Sequence, residues 1–366
     1  MIILAIVIIL FIIYAVLVIY YADRWKRIPN FKSENKNFSL PFSIIIPARN
    51  EEENIGALLE AIQKQDYPSH LIEVIVVDDH STDRTAEVVK RSGQVRLISL
   101  TEDKINSYKK KAIGTGIAAA TNDWIVTTDA DCLPTENWIA TMAAIIESKK
   151  PVFIAAPVRI NCNSGILEVF QAMDFLILQV ITGAVVYDKK LSMCNGANIA
   201  YSRKVFTEVG GFSGIDNIAS GDDMLLMYKI WKAHPDQVVY LKSTDAIVDT
   251  LPMKTWKGFF NQRIRWASKA RNYQDKRIFP VLLLVYLFNL CFPLLMITGY
   301  WIPVVILWIL KTLVELPLFI QGARFFDKRW AIPLFFFFQP LHIVYTIISG
   351  LFGQFGTYNW KGRKVK

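Results

Sequence analysis

The chain has 366 residues, and its 41 basic and 32 acidic residues give a formal net charge of +9. Hydrophobic residues make up 53% of the sequence and charged residues 20%. This charge content excludes a protein that lies wholly in a membrane, and the apolar content excludes a disordered chain. Ordinary glycine content and four cysteines exclude a collagen and a disulfide scaffold. The length allows about two domains.

The apolar excess lies at the two ends, and residues 1–21 carry no charge. About 20 apolar residues suffice to cross a hydrocarbon core of roughly 30 Å, so we predict a transmembrane helix over residues 1–22. A cleaved signal peptide is disfavoured because the segment has no basic start and no small-residue cleavage site. The basic residues that follow predict that the next domain is cytoplasmic.

The second apolar region covers residues 278–355 and predicts about three membrane segments, two of them joined by a turn at Gly299 and Pro303. A basic interfacial segment, 254–277, precedes it, and a basic tail, 356–366, follows it. One span before the central region and three after it would place the C-terminus outside, whereas a basic tail is typical of the inside. A re-entrant or interfacial segment would reconcile the two, so the side of the C-terminus stays open.

Strand and helix patterns alternate through residues 41–253. Apolar runs typical of buried strands occur at 42–47, 73–77, 95–100, 124–128 and 152–158. Helical periodicity occurs at 52–65, 82–91, 109–120 and 135–147. This order predicts an α/β domain with a mainly parallel sheet and helices on both faces. Ligands of such sheets bind beyond the carboxyl ends of the strands.

Polar clusters follow three of the predicted strands, at residues 49–51, 78–81 and 129–131. The first strand-helix turn has neither the GxGxxG nor the GxxxxGK[ST] pattern, which disfavours nicotinamide dehydrogenases and P-loop ATPases. Asp129 and Asp131 offer hard oxygen ligands for Mg²⁺ or Mn²⁺, ions that usually bind one or two carboxylates plus substrate phosphates. A pair of loop-capping aspartates is the alternative interpretation.

Two motifs lie further along the chain. Asp222 and Asp223 precede a helical run, where one aspartate would serve as an N-cap and the other could act as a general base. The segment 262–266, Gln-Arg-Ile-Arg-Trp, precedes the second apolar region. Its arginines suit bidentate phosphate binding, while a basic and aromatic anchor beside a bilayer is the alternative.

Taken in order, these motifs resemble those of the family 2 glycosyltransferases, inverting enzymes with a GT-A nucleotide-sugar fold. The resemblance is strongest to the membrane-embedded branch that includes cellulose and hyaluronan synthases and ceramide glucosyltransferases, and it covers about residues 42–266. It implies a donor site formed by Pro47, Ala48, Asn50, Glu51, Asp78, Asp79, Lys109 and Asp129. It implies contacts with the acceptor or the diphosphate from Asn198, Gln262, Arg263, Arg265 and Trp266.

The resemblance also implies a mechanism. Asp131, with Asp129, would hold Mg²⁺ or Mn²⁺ against the departing diphosphate. Asp223 matches the expected general base, but Asp222 replaces the family's usual Glu, which leaves open which aspartate is the base. The implied reaction is a metal-assisted single displacement from a nucleotide-diphosphate sugar to a lipid, lipid-linked or polysaccharide acceptor. The implied location is the cell membrane, with several spans and a cytoplasmic catalytic domain.

Three other functions remain as alternatives. A processive polysaccharide synthase could use the same scaffold, although about four membrane segments are few for a polymer channel. A sugar nucleotidyltransferase would need a Gly-rich basic loop after the first strand, which this chain lacks. A catalytically inactive scaffold is disfavoured because every proposed catalytic position is filled.

The net basic charge does not indicate nucleic acid. Residues 41–253 contain 20 basic and 27 acidic residues, so the positive charge lies in the segments that flank the predicted membrane helices. No aromatic-interleaved basic patch occurs in this region. A basic flank suits anionic lipid headgroups instead.

Overall fold

The structure is a computed structural model that describes residues 1–33, 38–102, 107–163, 165–218, 221–268, 275–354, 358–360 and 363–365. The strands are β1 (Phe42–Ala48), β2 (Ile72–Asp78), β3 (Val95–Ser99), β4 (Trp124–Thr127), β5 (Cys132–Pro134), β6 (Phe153–Ala155), β7 (Val158–Ile160), β8 (Ile199–Ser202), β9 (Val238–Tyr240), β10 (Val248–Thr250), β11 (Tyr358–Trp360) and β12 (Arg363–Val365). The helices are α1 (Ile2–Arg27), α2 (Ile55–Gln63), α3 (Thr85–Arg91), α4 (Tyr108–Ala119), α5 (Trp138–Lys149), α6 (Ile166–Tyr187), α7 (Arg203–Glu208), α8 (Met224–Ala233), α9 (Trp256–Ser268), α10 (Ile278–Ile297), α11 (Trp301–Phe325) and α12 (Phe335–Phe352). Short 3-10 helices cover Ser69–Leu71, Thr244–Ala246 and Arg329–Leu334.

The main sheet has seven strands in the order β3-β2-β1-β4-β8-β6-β9. Neighbouring strands are parallel except at β8, which runs antiparallel to both β4 and β6. The predicted α/β fold with a mainly parallel sheet is confirmed. A second sheet, β5-β10-β7, lies beside it. The central strand β1 is almost wholly buried and apolar, as expected for a strand covered on both faces.

Helix α4 packs closely on the central strands because residue 116 is a glycine. A Cβ atom at Gly116 would lie 2.5 Å from Cγ2 of Ile45 in β1 and 3.3 Å from Cγ2 of Val77 in β2. At Gly114, in the same helix, a Cβ atom would meet only Phe212, at 3.8 Å. The close packing at Gly116 therefore sets how α4, with Lys109 in its first turn, lies on the sheet.

Among the residues that the structure describes, five helical segments are long and apolar enough to cross a membrane: α1, α6, α10, α11 and Arg329–Phe352. Gly299, with a φ of +79°, lies in the turn between α10 and α11, where the sequence predicts one. Helix α6 differs from the others because 83% of its most apolar stretch is buried inside the protein, against 17% for α1. The domain bounds proposed from the sequence do not anticipate α6, which lies inside residues 41–253.

Two basic side chains of the α/β domain hold the ends of the apolar helices. Lys242 is buried beyond β9, and its Nζ donates to the carbonyl oxygens of Trp25, at 2.9 Å, and Ile28, at 3.2 Å. Burial lowers the pKa of Lys242 to about 8. Arg159 in β7 donates to the carbonyl of Phe326 at 3.4 Å. Cations suit helix C-termini, where carbonyl groups lack intrahelical partners.

We expect Gly116→Ala to destabilise the protein by about 1–3 kcal/mol, because the added methyl group must displace Ile45 from a packed core. Gly114→Ala is the matched control, since it has space and should gain up to about 1 kcal/mol from helix propensity. Thermal unfolding of the detergent-solubilised chain measures both. Equal melting temperatures for the two variants would contradict the close packing of α4.

Candidate active site

The first two polar clusters meet at the carboxyl ends of β1 and β2. These strands are in parallel register, with Ala48 opposite Asp78 and Pro47 opposite Val77. The backbone N–H of Asp79 donates to the carbonyl of Ala48 at 2.8 Å. The structure therefore brings Pro47, Ala48, Asp78 and Asp79 together at one edge of the sheet, where parallel sheets bind ligands.

Asp79 is buried and held by two neighbours that sequence reasoning did not assign to the site. Arg49 donates through Nη1 to the carbonyl oxygens of Asp79, at 2.6 Å, and His80, at 3.1 Å. His80 has a φ of +54°, and its Nδ1 lies 3.0 Å from Oδ1 of Asp79. A non-glycine residue in this left-handed region is uncommon and indicates a backbone held by its surroundings. Arg49 and His80 thus fix the direction of the Asp79 carboxylate.

Asn50 and Glu51 join the turn after β1 to the turn after β2. Asn50 accepts from the N–H of Thr82 at 2.8 Å through its side-chain oxygen. The backbone N–H of Glu51 donates to Oγ1 of Thr85 at 2.8 Å, and its carboxylate accepts from Asn54 at 2.7 Å. Both side chains therefore shape the loop, and their predicted contact with the donor stays a prediction.

Four residues from three segments form what we call the Lys109 cluster: Lys109 in α4, Asp129 after β4, and Asp222 and Asp223 just before α8. Nζ of Lys109 lies 2.6 Å from Oδ1 of Asp129 and 3.3 Å from Oδ2 of Asp222. Burial alone would lower the pKa of Lys109, but the surrounding aspartates outweigh it and raise this pKa above its usual value. Lys109 is therefore a permanent cation among carboxylates of β4 and α8.

Asp223 is fixed by backbone N–H groups on both of its oxygens. Oδ1 accepts from Met224 at 2.7 Å, and Oδ2 accepts from Gly196 at 3.1 Å. A Cβ atom at Gly196 would lie 3.1 Å from Oδ2 of Asp222. A residue with a side chain here would therefore crowd the acidic pair. The predicted grouping of Asp222 and Asp223 at a helix start matches the structure, with Asp223 as the N-cap of α8.

Asp129 and Asp131 follow β4 and are both half-buried. In the described residues, no group of three or more His, Cys, Asp or Glu side chains is arranged to hold a metal. Burial, aided by Asp131 and Asp129, raises the pKa of the adjacent Cys132 thiol. The donors present are hard carboxylate oxygens, which fit a Mg²⁺ or Mn²⁺ ion that takes its other ligands from substrate phosphates.

Asn198 does not lie at an open site, and its predicted contact with the acceptor stays a prediction. The side chain is fully buried, with its oxygen accepting from Nε1 of Trp138 at 2.9 Å. Its amide nitrogen donates to the carbonyl oxygens of Pro157 and Ala246, each at 2.8 Å. All three partners belong to the interior, so Asn198 joins the sheets and has no group left for a substrate.

The 262–266 motif lies on α9, and its two arginines behave differently. Arg263 is buried, and its Nη2 lies 2.7 Å from Oδ2 of Asp174. The predicted contact between Arg263 and the substrate stays a prediction, which the ion pair does not favour. Arg265, Gln262 and Trp266 are half-buried. The ring of Trp266 lies 6.1 Å from that of Phe175 and packs on the core of the α/β domain. Arg265 thus remains the motif arginine predicted to bind the diphosphate.

Comparison with known proteins bears on this arrangement. Residues 43–210 match the family model described as Glycosyl transferase family 2. Over 256 residues the chain is 26% identical to the probable glycosyltransferase YdaM of Bacillus subtilis, covering 68% of this chain and 59% of that protein. Over 258 residues it is 23% identical to the poly-beta-1,6-N-acetyl-D-glucosamine synthase of Staphylococcus epidermidis, covering 69% and 59%. The matched part thus spans about three fifths of these relatives.

A solved structure resembles almost the whole chain. The mannosyltransferase PcManGT from Pyrobaculum calidifontis, in complex with GDP-Man and Mn²⁺, has a TM-score of 0.60. The match covers 95% of this chain and 98% of that one, at 21% identity. At 21% identity, this structural likeness shows a shared fold alone.

We expect Asn198→Ala to lower the melting temperature while the folded protein keeps its affinity for an acceptor. The substitution leaves the Trp138 indole and two carbonyl groups unpaired, and each such group costs about 1–3 kcal/mol. Thermal unfolding and the acceptor KM measure the two effects separately. A raised KM with an unchanged melting temperature would return Asn198 to the acceptor site.

Proposed function

We propose that this chain, whose residues 43–210 match the model for Glycosyl transferase family 2, transfers one sugar from a nucleotide-diphosphate sugar to a lipid or lipid-linked acceptor at the cell membrane. The observation that carries this proposal is the Lys109 cluster. It gathers one cation and three carboxylates from β4, α4 and α8 beyond the carboxyl ends of the strands. Such a set suits a reaction that moves a proton while a diphosphate departs.

In this proposal, Asp223 is the general base that takes the proton of the acceptor hydroxyl. Backbone N–H groups of Gly196 and Met224 fix the direction of its carboxylate, which meets the geometric requirement on a base. Asp222 pairs with Lys109 and is nearly buried, so it is the less accessible of the two aspartates. The structure thus supports Asp223 over Asp222, a choice that the sequence leaves open.

The leaving diphosphate would be received by cations of this chain. Residues 41–253 carry more acidic than basic residues, so a sugar diphosphate meets an acidic domain. Lys109 in the crevice and Arg265 on α9 offset this charge in the proposal. Asp131 and Asp129 would hold Mg²⁺ or Mn²⁺, which supplies further positive charge for the diphosphate when bound.

A membrane acceptor is supported by the helices around the domain. Helix α1 and the C-terminal helices expose large apolar side chains, which suits a lipid environment and, with it, a lipid acceptor.

The domain bounds in this proposal are residues 1–22 and 278–355 for the membrane segments, 254–277 for the interface and 356–366 for the tail. The catalytic domain, 41–253, would face the cytoplasm.

A processive polysaccharide synthase is the second candidate, and the relative from Staphylococcus epidermidis, named as a polymer synthase, favours it. Against it, α6 is buried inside the protein, so four of the five long apolar segments remain to line a channel. We therefore favour a single transfer. The mass of the product separates the two candidates, because a single transfer adds one sugar and a processive synthase gives products with many added sugars.

We expect the purified chain to transfer a sugar from at least one member of a panel of nucleotide-diphosphate sugars to a membrane lipid extract. Transfer should disappear in EDTA and return with excess Mn²⁺ or Mg²⁺, because the carboxylates of Asp129 and Asp131 alone repel the diphosphate. Mass spectrometry of the extract identifies the product. If the chain neither transfers a sugar nor hydrolyses a donor across the panel, the proposed activity is refuted. If activity is full in EDTA, only the proposed metal requirement is refuted.

We expect Asp223→Asn to lower kcat by about 10²–10⁴-fold and to leave donor affinity unchanged, because the amide has the size of the carboxylate but cannot take a proton. Asp222→Asn is the matched comparison and should lower kcat far less, since Asp222 is nearly buried and pairs with Lys109. Donor titration and single-turnover kinetics separate the effects. Near-normal turnover by Asp223→Asn would remove it from the role of base.

A further inference from the structure

Arg263 of α9 lies in a buried ion pair with a helix inside the α/β domain. Its Nη2 lies 2.7 Å from Oδ2 of Asp174 in α6, and each side chain is 3% exposed. A buried charge pair is retained at a large desolvation cost, and removal of one partner leaves an unpaired buried charge. This pair therefore fixes how α9 lies on α6.

The other oxygen of Asp174 is held from the C-terminal apolar region. Oδ1 of Asp174 accepts from the hydroxyl of Tyr345 in α12, which is also buried. Around this point, the rings of Phe170, Phe259 and Tyr345 pack edge to face, with centroids 5.5–5.7 Å apart. One carboxylate thus joins three helices: α6 of the catalytic domain, α9 with its motif, and α12.

The guanidinium of Arg263 contacts two of the three motif residues predicted to reach the substrate. Its Nη1 donates to Oε1 of Gln262 at 3.1 Å. Its centre lies 4.2 Å from the centre of the Trp266 ring, within the range of a cation–π contact. Arg263 can therefore set the orientation of both side chains without touching a substrate itself.

We propose that Asp174, Arg263 and Tyr345 are positioning residues, which orient Gln262 and Trp266 for transfer and link this orientation to helix α12. The inference rests on the proposed function, because it gives the motif its role in the reaction. Positioning errors of about 1 Å can lower rates by roughly 10²-fold, so a buried support is enough to affect catalysis. A movement of α12 would in turn reach the motif through Tyr345.

The test compares the full-length chain in detergent with Asp174→Asn and with the double variant Asp174→Asn/Arg263→Met. The single variant leaves the Arg263 charge unpaired, so its melting temperature and kcat/KM should both fall. The double variant removes both charges and keeps an oxygen for Tyr345, so its melting temperature should recover. Its kcat/KM should stay about tenfold or more below wild type, because Gln262 and Trp266 have lost their support.

If the ion pair were purely structural, kcat/KM of the double variant would recover together with its melting temperature, and that result overturns the proposal.

Tyr345→Phe is the mild variant and should lower kcat/KM less, with little change in melting temperature. Asp188→Asn is the control: it lies just beyond the other end of α6 and binds Tyr20 and Arg24 of α1. It should leave kinetic constants unchanged.

Hydrogen–deuterium exchange of residues 256–268 provides a readout that needs no activity. Exchange in α9 should be faster in Asp174→Asn and in the double variant, and unchanged in Asp188→Asn. If the wild-type chain transfers no sugar, the proposed function fails while the exchange data still test the link from α6 to α9. If transfer is normal in wild type and exchange in α9 is the same in all variants, the positioning proposal alone is refuted.

Discussion

Helix α6 is apolar on most sides, and in this structure the protein itself covers 83% of its most apolar stretch. The sheet covers one side, through β7 and β9, and helices α1 and α11 cover the other. Two glycines allow the close approach. A Cβ atom at Gly183 would lie 2.5 Å from the Trp25 ring, and one at Gly322 would lie 2.6 Å from Val180. Because both layers pack on the same helix, the catalytic domain and the apolar helices share one core.

A few polar contacts near this shared helix also link the site to the apolar region. Asp174 and Phe175 lie side by side on α6, and both contact α9, through Arg263 and Trp266. Two further contacts, from Lys242 and Arg159, hold the carbonyl ends of α1 and α11. A buried ion pair adds little net stability, but it accepts few alternative geometries. Such contacts therefore orient helices whose apolar packing alone would allow sliding.

The sequence predicts those parts of the site that depend on local order. Strand ends follow from apolar runs, and parallel strands bring their carboxyl ends together, so Asp79 and Asp129 were placed correctly beyond β2 and β4. The burial of Asn198 and Arg263 does not follow from the sequence, because their partners, Trp138 and Asp174, are 60 and 89 residues away. A sequence motif identifies residue types, but contacts with residues distant in sequence set the direction of each side chain. Helix α6 was missed for a related reason, since a buried helix and a spanning helix share one composition.

The charge of the crevice gives the last constraint. Asp129, Asp222 and Asp223 come from elements far apart in sequence, and their mutual repulsion would open the crevice without a cation. Lys109 supplies that cation from α4, which Gly116 allows to lie close on the sheet. A metal-bound donor would compete with Lys109 for Asp129, and the freed ammonium group could then face the diphosphate. In the proposed function, the same lysine would therefore both balance the acidic groups and meet the negative charge of the diphosphate.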